Sequence, residues 1–268
     1  MNEPRKTTTT LSGFVEWVLE VGEQFGDESQ KTYEAPWFRG VGDSRYHLVP
    51  TLYRTGEGRA KFSDDELRLE FARKALPLVA ERAPRDDWEW YFLMQHYRAP
   101  TRLLDWTDSA LVALYFALTA WATASAGNKD DQCKPAVWAL NPWTLNRASG
   151  LLYGPVNTDP RYLSSPYSKS EIPENPIAID PTFAAQRMLV QHSHFTLHGR
   201  DYRSIDERKS ELGLDKGLTR IEIDADADGL EYLQWHLALL GVTETMIFPD
   251  LEGLARELRW EYGLDKRS

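Results

Sequence analysis

An α+β fold is predicted for this 268-residue chain, a single compact domain of short buried strands flanked by several amphipathic helices. Three observations predict it. Apolar residues recur at helical spacing in separate stretches, the first being Leu11, Phe14, Trp17, Val18, Val21 and Phe25. Short apolar runs of strand length, such as residues 136–140 and 218–223, lie between the helical stretches. No internal repeat and no clear linker divides residues 1–268, and a hydrophobic fraction of 42% is ample for one core.

The elements follow in order. A threonine-rich start leads into the first amphipathic helix. Residues 34–40 read as a short strand that ends in a turn at Gly40, and residues 41–53 as turn-like and then extended. Ser63-Asp64-Asp65-Glu66 has the form of a capping box and opens a helix expected to reach about residue 82. Pro84 and two aspartates restart a helix carrying Trp88, Tyr91, Phe92 and Gln95. Residues 98–107 read as a loop by composition, with Thr107 or Asp108 placed to cap the apolar helix that follows. Residues 136–140 form a buried strand, and Asn141-Pro142 a cap followed by proline at the first helical position. A long irregular excursion rich in Pro, Gly, Ser and Asn occupies about residues 148–181. Strands are expected over 194–198 and 218–223, then a helix over 230–240 stopped by Gly241, and a last one capped by Asp250.

Bulk properties exclude several functions. A net charge of −10, with Lys and Arg interleaved among Asp and Glu, argues against generic nucleic-acid binding, which needs a clustered basic footprint. A local basic pocket for a phosphate-bearing small molecule remains compatible with it. The one cysteine, Cys133, allows no intrachain disulfide and fits a reducing, cytoplasmic compartment. The longest apolar run, residues 111–122, is too short to span a bilayer, which takes about 20 residues. No membrane association is expected, and no protein partner is indicated.

The densest polar chemistry lies at Arg39 and over residues 95–107. Arg39 ends an apolar strand beside Gly40, and a buried guanidinium needs a carboxylate or a phosphate. Gly40 permits an unusual backbone angle or close approach of a ligand. Within Gln95-His96-Tyr97-Arg98-Ala99-Pro100-Thr101-Arg102-Leu103-Leu104-Asp105-Trp106-Thr107, Thr101, Arg102 and Asp105 supply donor, cation and carboxylate, and His96 an acid or base. A rigid structural connector is the alternative. An Asp105–Arg39 pair would satisfy both readings, fixing the arginine for a ligand.

Phe38-Arg39-Gly40, Gln95-His96-Tyr97 and Pro100-Thr101-Arg102-Leu103-Leu104-Asp105-Trp106-Thr107 together resemble the FRG domain family, named for its Phe-Arg-Gly motif. Ala113-Leu114-Tyr115-Phe116-Ala117, residues 186–191 with Phe195-Thr196, and Ile247-Phe248-Pro249-Asp250-Leu251 continue the likeness, which spans about residues 14–258. One departure is visible: Arg98 stands where a glycine is expected after Gln-His-Tyr. The resemblance implies a bacterial or phage setting and a part in their conflict. The strand-terminal Arg-Gly is also similar to the first motif of ADP-ribosyltransferases. That similarity implies NAD as cofactor, with Arg39 holding its phosphates or ribose; the pocket expected around it has Gly40, Gln95, Tyr97, Thr101, Arg102 and Trp106 as further binding residues, with Trp106 or Tyr97 stacking on the base. It implies Thr196 as the strand hydroxyl and Gln191 or Glu244 as the late polar group; His96, Asp105 and Gln191 are the candidate catalytic residues. Glu222-Ile223-Asp224 is a loose echo of the usual late element. ADP-ribosyl transfer, NAD glycohydrolysis, a non-catalytic recognition module, and a hydrolase using His96 and Asp105 all stay open.

No metal is expected. His192, His194 and His198 share one face of a strand, but no Cys or acidic cluster completes a ligand set. Asp224-Ala225-Asp226-Ala227-Asp228-Gly229 has calcium-loop spacing, yet the twelfth position holds Trp235 in place of the bidentate glutamate, so a helix cap is expected there. Phosphate-binding glycine loops and the serine-esterase elbow are absent.

Overall fold

The computed structural model describes residues 6–26, 35–54, 64–79, 83–125, 133–152, 154–158, 163–166, 174–181 and 193–264. Among the described residues eight strands form one sheet: β1 (Lys6–Thr8), β2 (Trp37–Val41), β3 (Leu103–Thr107), β4 (Ala136–Leu140), β5 (Val156–Asn157), β6 (Ile177–Asp180), β7 (Ser193–Leu197) and β8 (Leu218–Ile223). Their spatial order is β1-β8-β4-β2-β3-β7-β6-β5. The β1–β8 and β5–β6 pairs are parallel and the rest antiparallel. Among the described residues the helices are α1 (Leu11–Phe25), α2 (Asp64–Ala75), α3 (Asp87–His96), α4 (Ala110–Ser125), α5 (Pro142–Ala148), α6 (Ala227–Leu239), α7 (Glu244–Ile247) and α8 (Leu251–Glu261). The α+β expectation is met.

Strand alternation divides the core. Phe38 on β2, Val137 and Ala139 on β4, and Ile221 and Ile223 on β8 face a layer made by α1, α4 and α6. Trp37, Val41, Leu104, Trp106 and Trp138 point to the other face, against Leu48, Leu145, Ile205 and Leu214. A third cluster packs α3, through Trp88, Tyr91 and Phe92, onto Ile177, Phe195 and Leu197.

The helix caps follow the sequence closely. Side chains of Thr10, Asp86, Asn141, Asp226 and Asp250 each accept from a backbone N–H in the first turn of α1, α3, α5, α6 and α8. The acidic run at 224–229 is therefore a capped helix start. Three expectations are corrected. Helix α2 stops at Ala75 and tightens to a 3₁₀ turn over Leu76–Leu78, because Pro77 disfavours the helical conformation of the residue before it. The cap of α4 falls on Ser109, whose Oγ accepts from Val112 N at 3.4 Å, while Thr107 Oγ1 receives Ser109 N. Most important, 98–107 is not all loop: residues 103–107 are the interior strand β3, in which Asp105 alone is exposed.

Arg98 has φ 59°, the left-handed region, and occupies the position just past the C-cap of α3. Its N–H bonds Gln95 O at 3.0 Å, and Ala99 N bonds Met94 O at 2.9 Å, the paired bonds of a Schellman motif. This geometry favours glycine, which explains physically why glycine is the expected residue there. Arg98→Gly is expected to raise stability by about 1 kcal/mol. A urea titration with an unchanged or lower midpoint would refute it.

Candidate functional site

Strands β2 and β3 touch through one register pair, Phe38↔Thr107, and then part. Arg39 fills the opening. Its Nη1 donates to the backbone carbonyl of Asp105 at 2.7 Å and lies 3.7 Å from the Asp105 carboxylate. Gln95, projecting from α3, donates Nε2–H to both oxygens of that carboxylate at 3.0 and 2.9 Å. Thr101, fully buried, donates its hydroxyl to Gln95 Oε1 and accepts Leu103 N. The chain Thr101–Gln95–Asp105–Arg39 therefore exists, and it contains the pair expected between Asp105 and Arg39.

The electrostatics of Arg39 are asymmetric. Burial pushes its pKa down from the ordinary arginine value, and Asp105 opposes that. The side chain keeps 18% of its surface exposed, against 56% for Asp105. A guanidinium has five N–H donors in a fork. Among the described residues, hydrogen bonding engages only Nη1 of Arg39.

Other expected site residues go elsewhere. Gly40 does not wait for a ligand: a methyl group there would lie 2.0 Å from Ala113 O and 2.5 Å from Ala117 N, so its role is to let α4 cross β2. Trp106 is a core residue whose Nε1 donates to Thr196 Oγ1 at 3.1 Å, leaving it no open face for a base. Arg102 turns away to Asp64 (2.6 Å) and to the carbonyls of His198 and Pro166. His96 and Tyr97 close α3, with rings edge-to-face at 5.0 Å, and Tyr97 is exposed. Glu244 bonds Tyr115 and Arg256, on the helical side of the sheet. Gln191, His192 and residues 186–190 lie outside the described residues.

These features sit inside a recognisable region. Residues 34–125 match a family model described as the FRG domain. The chain carries an FRG domain. In that domain the Phe-Arg-Gly tripeptide divides its work: Phe38 enters the core, Arg39 turns to the gap, and Gly40 admits α4. Searches of curated proteins and of solved structures returned no match. Among the described residues no helix is long and apolar enough to cross a membrane, and no three His, Cys, Asp or Glu side chains are grouped to hold a metal.

Next to the FRG motif, two histidines have opposite environments. His194 stacks on Trp37 at 4.5 Å, with Nδ1 2.8 Å from Asp180 and Nε2 3.7 Å from Asp108. Burial alone would lower its pKa, but the hydrogen bonds and charges of Asp108 and Asp180 outweigh that and raise it from 6.5 to about 9. His198 is lowered to about 3 by burial and by Arg102, Arg39 and Arg208. The folded pKa of His194 exceeds its unfolded value, so its contribution is complete below pH 6.5 and fades as pH rises through about 9. His198 has the reverse sign: its contribution is present above pH 6.5 and is lost as pH falls toward about 3. Chemical denaturation across pH should show a basic-limb loss of up to about 3 kcal/mol that His194→Gln removes. A basic limb unchanged in His194→Gln would refute the assignment.

Proposed function

We propose that the FRG domain of this chain binds a phosphate-bearing nucleotide of the NAD type, Arg39 receiving a phosphate oxygen. The observation that carries this reading is an arginine in a strand gap that is desolvated, partly exposed and, among the described residues, hydrogen-bonded through one nitrogen alone. Such a group gains most from a bidentate anion. Asp105, fixed by Gln95 and half exposed, orients Arg39 and offers acceptor oxygens to a ribose hydroxyl.

The chemistry proposed is cleavage of the nicotinamide–ribose bond. The C1′–N bond breaks, its electron pair leaves with nicotinamide, and a water or acceptor oxygen bonds C1′ while losing its proton. A carboxylate near C1′ stabilises the oxocarbenium-like state. Asp105 is the carboxylate available beside Arg39, and a role in bacterial or phage conflict fits a reaction that consumes NAD. The test measures nicotinamide release by wild type and Arg39→Ala, with and without lysate as acceptor. Release that Arg39→Ala abolishes is the expected result. Release without lysate means glycohydrolysis; release only with lysate means transfer. Equal release by both proteins would sink the reading.

A binding-only module is the second reading, and one observation favours it. Glu244 is tied to Tyr115 and Arg256, and Glu222 is paired with Arg220 at 3.2 Å, so neither serves Arg39. On this reading ADP-ribose binds wild type and not Arg39→Ala, and no nicotinamide appears.

A further inference from the structure

Helix α8 is amphipathic in the reverse of the usual sense. Leu251, Leu254, Ala255, Leu258 and Tyr262 recur three and four residues apart and make one apolar stripe along it. The stripe faces solvent: Leu251 is 84% exposed, Leu254 42%, Leu258 43% and Tyr262 77%. The opposite, polar face is turned inward. There Glu257 accepts the N–H of Thr245, Arg256 donates to Glu244 and lies 4.8 Å from the Phe248 ring centre, and Gly253 is buried.

These anchors fix the roll of the helix. A Cβ at position 253 would lie 2.1 Å from Phe248 O, so no leucine can take the place of Gly253 there. Turning the stripe inward would also break the Glu257–Thr245 and Arg256–Glu244 contacts. The apolar face is therefore built to stay outside, and such a face marks a surface that a partner covers.

Its charges identify the partner. Glu252 and Arg259 stand seven residues, or two turns, apart on one edge of the stripe. When α8 lies antiparallel to a second copy of itself, about a two-fold axis near residues 255 and 256, Glu252 of each copy meets Arg259 of the other. The same register sets Leu254 opposite Leu258. An anionic lipid surface fits worse, because Glu252, Glu257 and Glu261 outnumber Arg256 and Arg259 on a chain of net charge −10.

We propose that α8 is a self-association surface through which two copies of this chain pair symmetrically, helix antiparallel to helix. The inference does not rest on the role given to Arg39. Exposed charge pairs set the register and add little affinity. A helix pair of this length buries on the order of 1,000 Å², the low end for specific interfaces, so a dimer in the micromolar range is expected.

Sedimentation equilibrium of the full chain over a concentration series tests this, with thermal melts as the control on folding. Wild type should pass from monomer to dimer. Leu254→Glu and Leu258→Glu, both outward-facing, should each weaken the dimer at least about tenfold. Glu252→Arg alone and Arg259→Glu alone should each weaken it about threefold or more, and the two together should restore it. A second readout is Ala255→Cys in a Cys133→Ser background, which should form an intermolecular disulfide with oxidised glutathione as the oxidant. A chain that stays monomeric, a dimer indifferent to both leucine changes, or a double exchange no tighter than the single ones overturns the proposal. Monomers that bind anionic phospholipid vesicles through the stripe would overturn it in favour of a lipid surface.

Discussion

Gly40→Ala should cost more than about 3 kcal/mol and leave most of the chain unfolded at physiological temperature. The reason lies in what a Cβ would meet. The atoms within reach are backbone, Ala113 O at 2.0 Å and Ala117 N at 2.5 Å, and backbone in the middle of a buried helix cannot swing aside as a side-chain end can. The same crossing continues at Gly42, where an added methyl would lie 2.7 Å from Ala120 C and Trp121 N. Moving α4 outward would open the layer that Val112, Leu114, Ala117 and Leu118 form with Phe14 and Trp17. Gly22 in α1 provides the opposite case, since nothing lies within 4 Å of its would-be Cβ. Gly22→Ala should stabilise by about 0.5–1 kcal/mol. Thermal melts of the two variants should therefore move in opposite directions. A Gly40→Ala protein that melts with the wild type would show that α4 does not cross β2 this closely.

That glycine marks where local sequence stops determining the structure. Local signals carry far: caps at Asn141, within residues 224–229 and at Asp250 are each visible as a polar residue before an apolar period, and Asn141, Asp226 and Asp250 each bond the first turn of their helix. The Arg39–Asp105 pairing was also legible, because a cation in an apolar strand must find a counterpart. What was not legible depends on partners far along the chain. Strand β3 is hidden because Arg98, Pro100, Thr101 and Arg102 before it, with Asp105 and Thr107 inside it, make residues 98–107 polar as a whole. Its place between β2 and β7 is set by Phe38↔Thr107 and by Asp105↔Phe195, pairings that no local pattern encodes. In sequence Gly40 suggests room for a ligand, but the room is taken by helix α4, through Ala113 and Ala117.

Arg102→Met is expected to be the most destabilising change among the arginines of the FRG region, and its contrast with Arg39→Ala separates structure from function. Both arginines read alike in sequence, as cations beside a polar motif. In the fold, Arg102 is enclosed: its side chain is 14% exposed and its partner Asp64 13%. Tyr91 OH, which accepts Arg102 N at 2.7 Å, also bonds the Asp64 carboxylate, so the three residues tie α2, α3 and the approach to β3 together. Removing the guanidinium strands a largely enclosed carboxylate and the carbonyls of His198 and Pro166, a loss of about 3 kcal/mol. Arg39→Ala leaves Asp105 half exposed and still bonded to Gln95, so its cost should stay near or below about 1–2 kcal/mol. Urea midpoints of the two variants, read beside ADP-ribose affinity, give the comparison. Stability lost in Arg102→Met, with affinity lost in a stable Arg39→Ala, is the expected pattern. The reverse would make Arg39 the structural arginine and remove the ground for placing a nucleotide at the gap between β2 and β3.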